Sequence, residues 1–325
     1  MTFPRRRWLQ LALATAVASV LSQSASALDY PTRPVRVIVP VAPGGGADIT
    51  ARLTAQWLSE RLGQQFIVEN RPGGGTNIGT EAVVHAPADG YTLLLVNLTH
   101  AINATLYEKL NYNFMRDLEP VAAIIGVSNV VEIHPSVPVK TLPEFIAYAK
   151  ANPGKINMGS AGNGSSSHMA GELFKMMAGV NLVHVPYRGQ GPAMTDLLGG
   201  QLQVIFATTP GTTDYVRLGK LHALAVTTAQ RADLLPDVPT VADFVPGYES
   251  SQWYGIGAPK GTPSEIVDQL NQEVNAALVD SKMKARFADL GGTLLPGSPA
   301  DFAKLITTEI EKWGKVVKFA GIRAE

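Results

Sequence analysis

The sequence predicts an α/β protein of two lobes, each a mainly parallel sheet flanked by helices. Three observations lead there. At 325 residues the chain exceeds the size of a usual single core. Short β-rich runs alternate with helical patterns, the signature of βαβ units. A stretch dense in turn residues, with Pro236, Pro239, Pro246 and Gly247, then breaks the alternation where a chain would cross between lobes.

Residues 1–27 precede the first element. Arg5, Arg6 and Arg7 form a positive start, an apolar run fills 8–21, and Ala25-Ser26-Ala27 supplies small residues for cleavage after Ala27. That run is shorter than the roughly twenty residues a membrane helix needs, so a signal peptide is expected. Arg5-Arg6-Arg7-Trp8-Leu9 fits a Sec or a twin-arginine signal. Either route makes the chain periplasmic.

The first lobe is expected over residues 28–128. A strand at 35–41 leads into a helix at 48–62, with Asp48 as cap, a stripe of Ile49, Leu53 and Trp57, and Gly63 as stop. A strand at 66–68, a helix at 76–85 and a strand at 91–96 complete a half-sheet. The second lobe is expected over 129–242. Its strands are 130–133, 156–158, 182–185, 204–206 and 223–226, and its helices 141–151, 166–178, 192–198 and 212–218. Thr141 and Glu144 form a capping box for the first of these helices. Residues 243–325 are expected to return to the first lobe. They hold a strand at 253–256, a helix at 263–280 opened by a Thr262/Glu265 box, and a helix at 299–319. Phe302, Leu305, Ile306, Ile310, Trp313 and Val317 stripe that last helix at a 3.6-residue period.

Composition removes several function classes. Apolar residues at 46% and charged ones at 17% describe a packed protein rather than a disordered one. Twenty-seven basic residues balance 27 acidic ones without a basic stripe, which argues against nucleic acid as a partner. Cysteine is absent, so disulfides, zinc–thiolate sites, a cysteine nucleophile and a lipid-anchoring cysteine are all excluded. The histidines form no close pair and no H-E-x-x-H, so no metal and no cofactor are expected.

Two glycine-rich loops carry the chemistry. Pro43-Gly44-Gly45-Gly46-Ala47-Asp48 and Pro72-Gly73-Gly74-Gly75-Thr76-Asn77 each join a strand's C-terminal end to a helix, where open α/β sheets bind ligands. Glycine lets backbone N–H groups approach a ligand, and the helix N-terminus behind adds unsatisfied donors, so each loop is an anion cradle. Neither is a Walker loop nor a dinucleotide fingerprint, which disfavours nucleotides. The loops hold no lysine, and Arg71 is expected to pair with Glu69 or face solvent. Pro43, Gly44, Gly45, Gly46, Asp48, Gly74, Gly75, Thr76 and Asn77 are therefore candidate ligand contacts.

A polar run, Gly159-Ser160-Ala161-Gly162-Asn163-Gly164-Ser165-Ser166-Ser167-His168, joins a strand to a helix in the second lobe. It offers hydroxyls and a helix N-terminus toward the first two loops. A hydrolase using Ser165 or Ser166 with His168 is the enzyme alternative, but G-x-S-x-G is missing and no triad acid is recognisable. Non-enzymatic binding is the reading preferred. His100 follows a strand in Asn97-Leu98-Thr99-His100, as ligand contact or structural hydrogen-bonder. In Tyr187-Arg188-Gly189-Gln190-Gly191, Tyr187 can wall a cleft, and Arg188 is expected at the surface, with a contact to a ligand carboxylate as the alternative.

At these motifs the chain resembles the periplasmic binding proteins of tripartite tricarboxylate transporters, the Bug-type receptors. Tyr30-Pro31-Thr32-Arg33-Pro34-Val35-Arg36 is similar to their mature N-terminus, and the two glycine loops are similar to their ligand loops. Gly159-Ser160-Ala161-Gly162, Val185-Pro186-Tyr187-Arg188-Gly189, Asp196-Leu197-Leu198-Gly199-Gly200-Gln201 and Leu235-Pro236-Asp237-Val238-Pro239-Thr240-Val241 continue the match in order. The resemblance implies a Venus-flytrap fold of the type II-like periplasmic-binding-protein kind, closing on a small organic carboxylate. It implies delivery to the permease subunits of such a transporter, with sensing as the alternative role; a monomer is the default expected of a neutral, exported chain. On that analogy the first-lobe loops hold one carboxylate while Ser160, Asn163, Ser165, Ser166 and His168 face it. Ala207-Thr208-Thr209-Pro210-Gly211 and Asn97-Leu98-Thr99 depart from the family pattern and are expected along the distal cleft, adding Thr99, His100, Tyr187, Gly189 and Thr208 to the candidates.

Overall fold

A computed structural model describes residues 29–187, 189–209 and 212–324. The expected signal peptide, Arg188 and Pro210-Gly211 lie outside the described residues. The fold is mixed α/β, a curled sheet flanked by helices. In chain order the first part is β1 (Val35–Val39), α1 (Gly46–Leu62), β2 (Phe66–Asn70), a 3-10 turn at Gly74–Thr76, α2 (Asn77–Val84), β3 (Thr92–Asn97), α3 (Leu98–Leu106) and α4 (Phe114–Asp117). The long β4 (Leu118–Ile133) follows, then α5 (Leu142–Ala151), β5 (Asn157–Ser160), α6 (Ser166–Ala178), β6 (Val183–Pro186) and α7 (Gln190–Leu198). The chain continues through β7 (Val204–Thr208), α8 (Thr213–Arg217), β8 (His222–Val226) and β9 (Ser251–Pro259). It closes with α9 (Ser264–Val279), α10 (Ser281–Asp289), β10 (Gly292–Leu294) and α11 (Pro299–Ala320).

The sheet runs β2-β1-β3-β9-β4-β7-β5-β6, with β8 and β10 also on β4. Its two ends are parallel, β1 with β2 and β3, and β5 with β6 and β7. Its middle is antiparallel, because β9 pairs against β3 and β4, and β4 against β7 and β8. At 16 residues β4 reaches about 50 Å. Leu118 to Ser128 pair with β9, and Asn129 to Ile133 with β7, so one strand serves both half-sheets. Sequence patterning found only its last four residues, because Pro120 and Gly126 interrupt the run. Pro120 lies at a register shift, where a missing N–H costs no ladder bond. The strand is buried from Val121 onward on both faces, so no alternation marks it either.

Helix α9 packs on α1, and α11 packs on α3 and β4 and also on α6. Trp57 Nε1 of α1 donates to Glu273 O of α9 at 2.8 Å, and Arg61 pairs with Glu273. Helix α11 buries Phe302, Ile306, Trp313 and Val317, with Leu305 and Ile310 half-covered against the same core. Three local expectations are corrected. Helix α1 starts at Gly46 with Gly45 as its cap, and Asp48 sits in the first turn. Ile49 is 36% exposed rather than in the stripe; Ala47, Ala51, Leu53, Ala55 and Leu58 form the buried face. No Thr262/Glu265 box forms, since α9 is capped by Pro263 and the Thr262 hydroxyl donates to Pro259 O at 2.8 Å. Helices α3, α4 and α10 lack a sequence expectation altogether.

Candidate ligand-binding cleft

The first glycine loop is held from behind. Asp48, 3% exposed, accepts the Gly44 N–H at 2.9 Å, Asn70 Nδ2 at 2.9 Å and Arg52 Nε at 3.0 Å. Asn70 also donates to Val41 O at 3.1 Å and accepts from Arg52 at 3.1 Å, tying the ends of β1 and β2 to α1. Burial acts to raise the Asp48 pKa, but the bonds from Arg52, Gly44 and Asn70 and the Arg52 charge outweigh it and hold the carboxylate below its ordinary range. The loop backbone is thereby fixed with α1's first turn beside it. The helical ladder begins with Ile49 N–H on Gly45 O at 3.0 Å, so the N–H groups of Gly46, Ala47 and Asp48 precede it and carry the helix's partial positive charge.

That turn borders a cavity of about 370 Å³ between the two half-sheets. Gly44, Gly46 and Ile49 line it from the loop and α1. Val127 of β4, Tyr254 of β9 and Leu290 after α10 form a wall, and Gln190 and Thr208 close it from the second half-sheet. No charged side chain lines it among the described residues. Gln190 and Thr208 satisfy each other: Gln190 Oε1 accepts the Thr208 N–H at 3.0 Å and its hydroxyl at 2.7 Å. A Cβ added to Gly46 would stand 3.0 Å from the Tyr254 hydroxyl, so glycine permits this close approach. Burial pushes the Tyr254 phenol up to about 12, which keeps it protonated and able to donate.

The second glycine loop is packed differently and does not line that cavity. Gly75, at φ 61°, carries no Cβ where one would lie 2.6 Å from the Tyr107 hydroxyl. Asn103 Nδ2 donates to Gly75 O at 2.6 Å and to Asn77 Oδ1 at 3.0 Å, and the Tyr112 hydroxyl donates to Asn77 Oδ1 at 2.7 Å. Gly74 is exposed, while Thr76 is buried in a left-handed conformation at φ 81°. Asn97 caps α3 by accepting the Thr99 N–H at 3.0 Å, and His100 Nδ1 accepts the Asn97 N–H at 3.0 Å. His100 is 1% exposed, its Nε2 lies 2.9 Å from Thr80 Oγ1, and burial lowers its pKa to about 4. The structure thus gives His100 a full set of protein partners.

The polar run of the second half-sheet is also knitted together. Ser165 caps α6, its hydroxyl donating to Gly162 O at 2.7 Å and accepting the His168 N–H at 3.3 Å. Ser160, fully buried, places Oγ 2.6 Å from His184 Nε2. His168 Nδ1 accepts the Gly164 N–H at 3.1 Å, and its ring stacks on His184 with centroids 3.6 Å apart. Burial and the neighbouring His168 lower the His184 pKa to about 4. A Cβ on Gly164 would meet Leu106 of α3 at 2.8 Å, so this loop abuts the first half directly. Ser166 is half-buried at the start of α6, and Asn163 and Pro43 are exposed. Tyr187 donates to Asp196 at 2.6 Å, and Gly189 precedes α7 at φ 117° with open space around it. Arg71 pairs with Glu69, which also holds Arg36. Sequence reasoning missed Ile49, Val127, Gln190, Tyr254 and Leu290 as lining residues.

Among the described residues, no helix is long and apolar enough to cross a membrane. Residues 50–322 match the family described as tripartite tricarboxylate transporter family receptor. Protein BugT of Bordetella pertussis is 37% identical over 301 residues, 92% of each chain. Among solved structures, R. palustris Rpa4515 with adipate is similar at a TM-score of 0.81 and 39% identity, covering 90% of this chain and 99% of that one. The periplasmic binding protein BugD gives 0.78 at 35% identity, covering 91% and 100%. MatC from Rhodopseudomonas palustris with bound malate gives 0.77 at 34%, covering 89% and 100%. A family match over most of the chain, with solved relatives of the same fold along nearly all of their length, places it plainly: the chain belongs to the tripartite tricarboxylate transporter receptor family.

Proposed function

We propose that this protein is an exported periplasmic receptor that captures a small organic carboxylate between its half-sheets and hands it to the membrane subunits of a tripartite tricarboxylate-type transporter. One observation carries the binding part: an amide-rich helix start, rigidly backed by Asp48, faces Gln190 and Thr208 across a cavity of about 370 Å³. That volume lies in the range of small-molecule sites. Backbone donors at a helix N-terminus suit a carboxylate without a side-chain cation. The adipate and malate in two solved relatives support the same ligand chemistry. The glycine loops, the Ser160–His168 run and the Thr99, His100, Tyr187, Gly189 and Thr208 positions form the proposed binding surface, directly or by shaping it. Closure follows when a ligand favours the closed arrangement.

Binding without turnover is the reading favoured over hydrolysis. The Ser165 hydroxyl is committed to Gly162 O, and His168 Nδ1 to the Gly164 N–H, so neither is poised as nucleophile and base. The test is a thermal-shift and calorimetric screen of refolded protein against mono-, di- and tricarboxylates and aromatic acids. At a hundredfold excess over Kd, a ligand adds about 2.7 kcal/mol of stability. Gly46→Val should abolish the shift, because its side chain intrudes between the Tyr254 hydroxyl and the helix start. A panel without any binder, or binding untouched by Gly46→Val, would remove this cleft as the site.

A further inference from the structure

The cleft presents its ligand with two unlike surfaces. One is a turn of backbone amides at Gly46 to Asp48, suited to a carboxylate group. The other is apolar and comes from four separate places in the chain: Ile49, Val127, the Tyr254 ring and Leu290. Ile49 is the informative member. It sits on the first turn of α1, off the helix's buried face, and stays 36% exposed while Ala47, Ala51 and Leu58 are covered. An isolated exposed isoleucine says little, but one that lines the same cavity as Val127, Tyr254 and Leu290 adds to an apolar side of that cavity.

Among the described residues, the polar side chains opposite offer a ligand few donors. The Thr208 hydroxyl is spent on Gln190 Oε1 at 2.7 Å, and that oxygen also takes the Thr208 N–H. A ligand carrying hydroxyls along its body would find the Tyr254 hydroxyl near the glycine loop, but against Ile49, Val127 and Leu290 it would lose water hydrogen bonds and recover few of them.

Resting on the receptor reading above, we infer that the cleft selects carboxylates with an apolar body, with Ile49 and Leu290 as specificity-determining residues. Hydroxylated and tricarboxylic acids are the class it discriminates against. Each methylene of ligand buried on the wall contributes about fourfold in affinity.

The test compares adipate with galactarate, which has the same chain length and charge but four hydroxyls, by isothermal titration calorimetry, with hexanoate and citrate alongside. Adipate is expected to bind at least tenfold tighter than galactarate. Ile49→Thr should weaken adipate by about fourfold and leave galactarate within twofold, while Ile49→Leu should restore wild-type affinity. The exposure of Ile49 makes these variants safe for the fold, and circular dichroism melts would verify that. Galactarate or citrate binding as tightly as adipate would overturn the selectivity while keeping the receptor reading. An equal loss for both acids in Ile49→Thr would overturn the role of the wall. No binding by any of the four acids, nor by the wider panel, would remove the receptor reading and this inference with it.

Discussion

Glu132 lies fully buried in β4, between Ile205 of β7 and Ala223 of β8. Neither of its carboxyl oxygens has a hydrogen-bond partner. Burial pushes its pKa from 4.5 to about 8, and the Thr212 side chain, short of a formed hydrogen bond, offsets little of that. The folded chain therefore keeps this proton through neutral pH while the unfolded chain releases it above pH 4.5. Stability falls as pH rises across that window, by about 1.4 kcal/mol per unit and on the order of 5 kcal/mol in all. Above the folded value the loss is complete and the curve flattens. His100 and His184 act in the opposite sense. Each is lowered from 6.5 to about 4, so their contribution is lost as pH falls through that interval. Glu132→Gln removes the acidic proton and leaves both histidines in place. Urea unfolding of the two proteins from pH 4.5 to 8.5 is the assay. The variant should gain on the wild type steadily with pH, so that the difference between them grows by several kcal/mol from pH 4.5 to pH 8, whatever constant offset the amide brings. Parallel pH curves would refute the reasoning and mean that Glu132 is solvated or ionised in the folded state.

Two further outcomes follow from named contacts. Asp48→Ala releases the Gly44 N–H, Asn70 and Arg52 together and should cost about 2 kcal/mol in urea unfolding. It should also weaken carboxylate binding, and full affinity in calorimetry would show that the loop holds its shape without it. Ser165→Ala removes the α6 cap and should lower stability by about 1 kcal/mol. Because the hydroxyl serves as a cap, ester turnover in the wild type that disappears in this variant would instead favour the hydrolase alternative.

Much of the local structure was legible in the sequence, although the Asp48 cap and the Thr262/Glu265 box do not form. The Thr141/Glu144 capping box forms as expected, Gly63 ends α1 in the left-handed conformation, and the stripe of α11 turns inward. Each depends on residues within a few positions of one another. Helix α3 was missed although its cap is equally local. His100 fills the third position, where Glu or Gln would have been recognised, and accepts the Asn97 N–H in their stead. All of β4 before Val130 was missed because Pro120 and Gly126 break the pattern of a strand that neighbours on both sides sustain.

The sequence by itself determined the α/β alternation, the family resemblance and the chemistry of glycine loops at strand ends. Only the tertiary structure separated the two loops. Pro43 to Asp48 and Pro72 to Asn77 are nearly the same string, yet the first borders the cavity and the second is bound by Asn103, Tyr107 and Tyr112. It also decided the far wall, where Val127, Tyr254 and Leu290 meet across more than 160 residues of chain. The physical reason is range: caps, turns and helix stripes follow from neighbours along the backbone. What a cavity offers a ligand depends on which side chains the curled sheet brings together, and no local pattern encodes that.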